Sequence, residues 1–201
     1  MTQSVSITVN GNLTVQSGQT VTFTNGSISG NVMLNGGTLT LAGSTVGGSL
    51  TMSFGSLTLG GNSTVGNNVL IQGGTFSIGP ATIKGSLQIM HVPAGSSPGV
   101  VCGANVSGNL QFQYNAIPGQ IGPPSCAGNK IGGNLQITNN TAPLQIFQNT
   151  VGGNLQVQSN TGSAQVFQNA VTNVLQCSGN SSPFTGGKNT AAAKQGQYAS
   201  F

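Results

Sequence analysis

Apart from two tyrosines, the side chains able to do acid–base, nucleophilic or metal chemistry in this 201-residue chain are few. They are His91, the cysteines Cys102, Cys126 and Cys177, and the lysines Lys84, Lys130, Lys188 and Lys194. Asp, Glu and Arg are absent, and the formal net charge is +4. Glycoside hydrolysis by a carboxylate pair is therefore excluded. So are carboxylate-held Ca²⁺ or Mg²⁺ and a carboxylate-oriented catalytic histidine. One histidine and three cysteines with no CxxC form no convincing zinc site. Four isolated lysines are too thin a footprint for nucleic acid. We therefore expect no catalytic residue, no cofactor and no metal.

Two of the cysteines carry a pairing signal. Cys102 and Cys126 precede the repeated word Gly-Asn-Leu by eight and nine residues, counted to Leu110 and Leu135. Equivalent places on neighbouring turns would bring them within reach of a disulfide, made in an oxidising compartment. Cys177 occupies the slot of Ile137 and Val157 in its own repeat and reads as a small buried hydrophobe. His91 has no partner and reads as a loop histidine; the lysines read as solvated.

The elements that position these residues come from the repeat. Gly-Asn-Leu or a degenerate copy recurs with its anchor at 13, 32, 50, 69, 87, 110, 135, 155 and 175. After each anchor the apolar residues alternate, as in Leu13/Val15, Leu50/Met52, Leu110/Phe112 and Leu155/Val157. A second alternating pair follows (Val21/Phe23, Leu39/Leu41, Leu57/Leu59, Phe76/Ile78), resuming at Leu144/Ile146 and Ala164/Val166. A third track carries Ile28, Val46, Val65, Ile83, Val106, Ile131, Val151 and Val171. Period-two alternation puts one face in and one face out. Three short strands per turn of about 18–20 residues, all shifting in phase, describe an all-β, single-domain parallel β-helix rather than a β-sandwich of hairpins. Its coil is expected over 1–182, with a C-terminal tail at 183–201 that caps the rod or docks on a neighbour. Two longer turns place loops near 92–102 and 115–129, which hold five of the eight prolines.

Outward residues form ranks. Gln88, Gln111, Gln136, Gln156 and Gln176 share a face, while Asn12, Asn31, Asn109, Asn134 and Asn154 share a corner, with Asn149, Asn169 and Asn189 at another. Stacked amides hydrogen-bond along such an axis. Thr20, Thr22, Thr38, Thr40, Ser56, Thr58, Thr75 and Ser77 make two hydroxyl columns that resemble the ranks of ice-binding solenoids, although threonine is also a good residue for any solvated strand.

The repeats Gly132-Gly133-Asn134-Leu135-Gln136-Ile137 and Gly152-Gly153-Asn154-Leu155-Gln156-Val157, the last copy Leu175-Gln176-Cys177, and the tail Thr185-Gly186-Gly187-Lys188-Asn189-Thr190 and Lys194-Gln195-Gly196-Gln197-Tyr198 carry a likeness. Over about 130–201 the chain resembles uncharacterised secreted bacterial GGNLQ-repeat proteins. It departs from them at Tyr198, where they carry Cys, and at Gln195, where they carry Glu. The resemblance implies secretion and no known chemistry. By pattern, the N-terminal half also resembles bactofilin-like polymer-forming β-helices.

These readings set the functional expectation. No basic and apolar leader is seen at the start, and no run of about 18 apolar residues predicts a membrane span. A β-helix has open ends, with unpaired backbone groups and the core in cross-section, and low charge removes the repulsion that keeps copies apart. The leading expectation is a non-enzymatic structural subunit of an extracellular or cell-surface fibre. Its copies would stack head to tail through Val5, Ile7 and Val9 at one end and Leu175, Phe184, Tyr198 and Phe201 at the other. The alternatives are an adhesin or glycan-binding module using the 92–129 loops with Phe112 and Tyr114, and ice binding. No acidic group titrates below neutrality, so the charge is nearly constant there apart from His91 and the termini.

Overall fold

The computed structural model describes residues 7–181 and 183–197; Val5, Tyr198 and Phe201 lie outside them. Every strand pairing is parallel, and the chain winds as a β-solenoid of about ten turns. Each full turn has three faces. The first-face ladder begins at Leu13–Gln16 and passes through Leu87–Met90, Leu110–Gln113, Leu135–Thr138 and Leu155–Gln158 to Val174–Ser178 and Ala193–Gly196. The second runs from Thr20–Thr24 to Phe184–Gly187. The third is a nine-stranded sheet of short strands from Thr8–Val9 to Ala170–Val171, extended by a bridge from Ala170 to Thr190. Among the described residues no helix is long and apolar enough to cross a membrane.

The alternation in the sequence becomes a single axial core. Leu13, Val32, Leu50, Val69, Leu87, Leu110, Leu135, Leu155 and Leu175 fall in one register column, and all but Leu13 are fully buried. The third-face residues Val46, Val65, Ile83 and Val106 close the triangle, each with no exposure. At roughly 25 cal/mol per Å² of apolar surface, this core is the main stabilising term.

Corners differ along the rod. In the N-terminal half, Val32–Ala42 and Leu50–Gly60 run unbroken around the first–second corner and join the first two ladders into one 17-stranded sheet. Gly55 makes this close approach possible: its φ is +111°, and a Cβ there would collide with the Gly37 carbonyl oxygen of the previous turn. In the C-terminal half the corners are longer and are held by asparagines.

Two expected boundaries are corrected. Gly99–Val101 and Gly119–Ile121, placed within loops from the sequence, are second-face strands in register with each other. The insertions are therefore 91–98, between the first and second faces, and 122–129, between the second and third. They occupy different corners, because anchor spacing reports the length of a turn and not where the extra residues sit. The division at 182 also falls inside the coil: Phe184–Gly187 pairs with Ala164–Phe167, and Ala193–Gly196 with Val174–Cys177.

Candidate functional site

A disulfide joins Cys102 and Cys126, with Cα atoms 6.0 Å apart. Cys102 follows the second-face strand directly, and Cys126 lies in the 122–129 insertion, so the bond pins that loop to the preceding turn at the second–third corner. It closes a 24-residue separation, and the chain-entropy relation gives about 3 kcal/mol for a loop of this size. We expect the Cys102→Ser, Cys126→Ser double variant to lose stability of this order in denaturant titration. The protease cuts should first appear within 122–129; an unaltered midpoint would show that the loop is held without the bond. Cys177 is separate: it is fully buried on the first face, and burial pushes its thiol up to about 12 against a partly offsetting hydrogen bond from the Val157 backbone. It is an inert core residue.

The corners hold the densest polar chemistry. Asn115, Asn140, Asn160 and Asn180 stack inside the first–second corner, and Asn129, Asn149, Asn169 and Asn189 inside the second–third corner, all buried. Asn160 shows the pattern. Its Nδ2 donates to the Ile137 carbonyl and to Asn180 Oδ1, both at 2.9 Å, and its Oδ1 accepts from the Asn140 backbone N–H at 3.0 Å and Asn140 Nδ2 at 2.9 Å. Each side chain thus satisfies backbone groups that the corner would otherwise bury unpaired. The expected corner rank at Asn12, Asn31, Asn109, Asn134 and Asn154 also forms, with each Oδ1 accepting a backbone N–H from the following turn, as from Asn31 to Asn12 at 2.8 Å. On the first face Gln88, Gln111, Gln136 and Gln156 form a donor–acceptor chain at 2.6, 2.7 and 2.9 Å. Gln176 stands in register with them.

The two hydroxyl columns on the second face are in register: Thr20, Thr38, Ser56 and Thr75 in one, and Thr22, Thr40, Thr58 and Ser77 in the other. The face is not flat at its C-terminal border. There Ser97 and Pro98, the last residues of the 91–98 insertion, bound a groove of about 240 Å³ floored by those hydroxyls.

The ends are unlike each other. At the N-terminal end Ile7 is 48% exposed, and Val9, Leu13 and Val21 are only half-buried against the core. Among the described residues, the inward places at the C-terminal end hold no branched aliphatic residue. Lys194 pairs with Leu175, Gly196 with Cys177, and Gly186 with Val166. Gln197 closes the Asn115–Asn180 ladder in place of a further asparagine, accepting from the Asn180 N–H and Nδ2 and donating back to its carbonyl. Among the expected end residues, Leu175 is fully buried one turn inside the rod, and Phe184 is half-buried near the end.

The two insertions of the expected loop site occupy different corners, one on each border of the second face. Phe112 is fully buried, while Tyr114 is 53% exposed. His91 stacks on Tyr114 with ring centroids 5.3 Å apart and planes 7° apart. Among the described residues, no three His, Cys, Asp or Glu side chains gather to hold a metal ion. No known protein family, curated protein or solved structure matches the chain.

Proposed function

We propose that this chain is a non-enzymatic structural protein, a stiff and nearly uncharged rod that joins a second copy end to end outside the reducing cytosol. The observation that carries the reading is the contrast between its ends. Among the described residues, the N-terminal turn presents half-buried Leu13 and Val21 and three strands paired on one side only. Unpaired strand edges recruit further strands unless blocked. The C-terminal turn carries such a block, an inward lysine, together with a glutamine that finishes the amide ladder. Head-to-tail stacking would set the Lys194 side chain, in register with the buried Leu175, against the apolar N-terminal turn, where taking a charged group out of water is costly.

N-terminal turn against N-terminal turn avoids that burial. It gives a two-fold contact, closed at two copies, with the edge strands meeting antiparallel. The disulfide supports an oxidising location, and a chain without carboxylates supports a non-catalytic role.

Light scattering after size exclusion and negative-stain microscopy test this. The expected particle is a dimer about twice the single-rod length, near 45–50 Å for ten turns at roughly 4.8 Å each. Val21→Lys is expected to leave the circular dichroism spectrum intact and yield monomers. Monomeric wild-type protein at all concentrations would overturn the reading, and long filaments would restore head-to-tail stacking.

A further inference from the structure

We infer that the groove beneath the 91–98 insertion, with the aromatic corner beside it, binds a neutral glycan. The corner between the first and second faces carries three exposed rings along the axis: Phe54, 62% exposed, then His91 and Tyr114. Gly73 stands between Phe54 and His91, and the Phe54 ring lies over it. A Cβ on Gly73 would come within 3.1 and 3.2 Å of that ring. With the His91–Tyr114 stack, the row spans four successive turns.

Backbone geometry sets these rings apart from ordinary corner residues. His91 and Tyr114 have φ of 58° and 56°, in the left-handed region, while the next turns place Asn139, Ser159 and Gly179 at the same corner with φ of 57°, 55° and 64°. Left-handed backbone suits Gly, Asn and His and opposes a residue such as tyrosine. The Tyr114 ring is thus held where a small residue would relieve strain, and such outliers cluster at binding sites. The Tyr114 ring remains 53% exposed in spite of its stack on His91.

The groove supplies the complementary chemistry. Ser56, Thr58, Thr75 and Ser77 floor it and Ser97 lines its rim, each hydroxyl able to donate and accept. Phe54 precedes Ser56 by two residues, and His91 opens the insertion that ends in the groove at Pro98. The lysines lie on other elements: Lys130 belongs to the third face, Lys84 directly follows the third-face strand Ala81–Ile83, Lys188 lies at the second–third corner and Lys194 in the C-terminal turn. A site of hydroxyls and aromatic surface with no charge matches a ligand of hydroxyls and C–H faces without charge. That chemistry is a neutral sugar chain, and not a uronic acid or a phosphate.

The test is calorimetric titration of the full chain with cellohexaose, chitohexaose and hexagalacturonate. Wild-type protein is expected to bind a neutral hexasaccharide, and the His91→Asn, Tyr114→Asn double variant at least tenfold more weakly. That variant takes the residue used at position 139, so its melting temperature should be equal or higher. Lost binding with retained stability then separates recognition from folding. Failure of wild type to bind either neutral sugar, equal binding of hexagalacturonate, or undiminished binding by the variant would each overturn the inference. So would sideways association of rods that the variant disperses without any sugar binding, which would assign the corner to a second copy.

Discussion

Asn160→Asp is expected to destabilise the C-terminal half of the rod strongly. The side chain is fully buried and makes four hydrogen bonds, two donated and two accepted. A carboxylate keeps the accepting side. It turns the donating side into a second oxygen facing the Ile137 carbonyl and Asn180 Oδ1, two acceptors at 2.9 Å. Loss of both donated bonds together with a buried, unpaired charge amounts to about 3–5 kcal/mol. At roughly 2–4 °C per kcal/mol for a chain of this size, the melting temperature should fall by about 6–20 °C.

The pH dependence has a definite sign. Burial would raise the folded-state pKa of the new carboxyl above its unfolded value near 3.9. The charge part of the penalty is then absent below about that pH, where the protonated acid can donate one of the two bonds again, and it grows as pH rises toward the folded pKa. Melting followed by circular dichroism between pH 3 and 7, with hydrogen exchange at 135–180 to locate the opening, measures both. A neutral-pH melt equal to wild type would show that the ladder amides do not hold the corner. Because the turns of a solenoid contact chiefly their neighbours, turns before Leu87 should keep their protection.

The same ladder shows what the sequence does and does not disclose. In-phase apolar tracks determine the coil, because a three-sided solenoid is the arrangement that keeps all of them inside at once. The rank at Asn149 and Asn169 is readable from its twenty-residue step. The companion rank at Asn115, Asn140, Asn160 and Asn180 has the same turn spacing, yet it hides in a chain with 22 asparagines. Its inward direction depends on corner geometry that spacing does not report. The second-face strands at Gly99 and Gly119 are obscured for another reason: glycine occupies one inward position, so only Val101 or Ile121 is left to mark the alternation. The contrast between the ends becomes visible only with register, since Lys194 looks solvated until it is paired with Leu175. The aromatic corner is less legible still, because Phe54, His91 and Tyr114 are separated by 37 and 23 residues and are aligned only by the winding.

Gly119 supports a second large prediction. Its inward space is filled by the Phe112 ring from the first face: a Cβ on Gly119 would lie 2.8 and 2.9 Å from ring carbons and 3.0 Å from a Leu144 methyl. Phe112 itself has no exposure. A large residue therefore compensates a missing one across the core, which keeps the packing dense while the column runs Phe76, Gly99, Gly119, Leu144. Phe112→Ala should empty that space and destabilise by about 3–5 kcal/mol. Gly119→Leu should overfill it, at about 1–3 kcal/mol or more. The two changes share one volume, so their effects should not add: the double variant should be more stable than Phe112→Ala alone, which requires a favourable coupling larger than the Gly119→Leu penalty, up to about 3 kcal/mol. Denaturant titration of the four proteins closes the cycle. Strict additivity would mean that ring and glycine are independent, and that the glycine at 119 answers to the backbone of the strand rather than to Phe112.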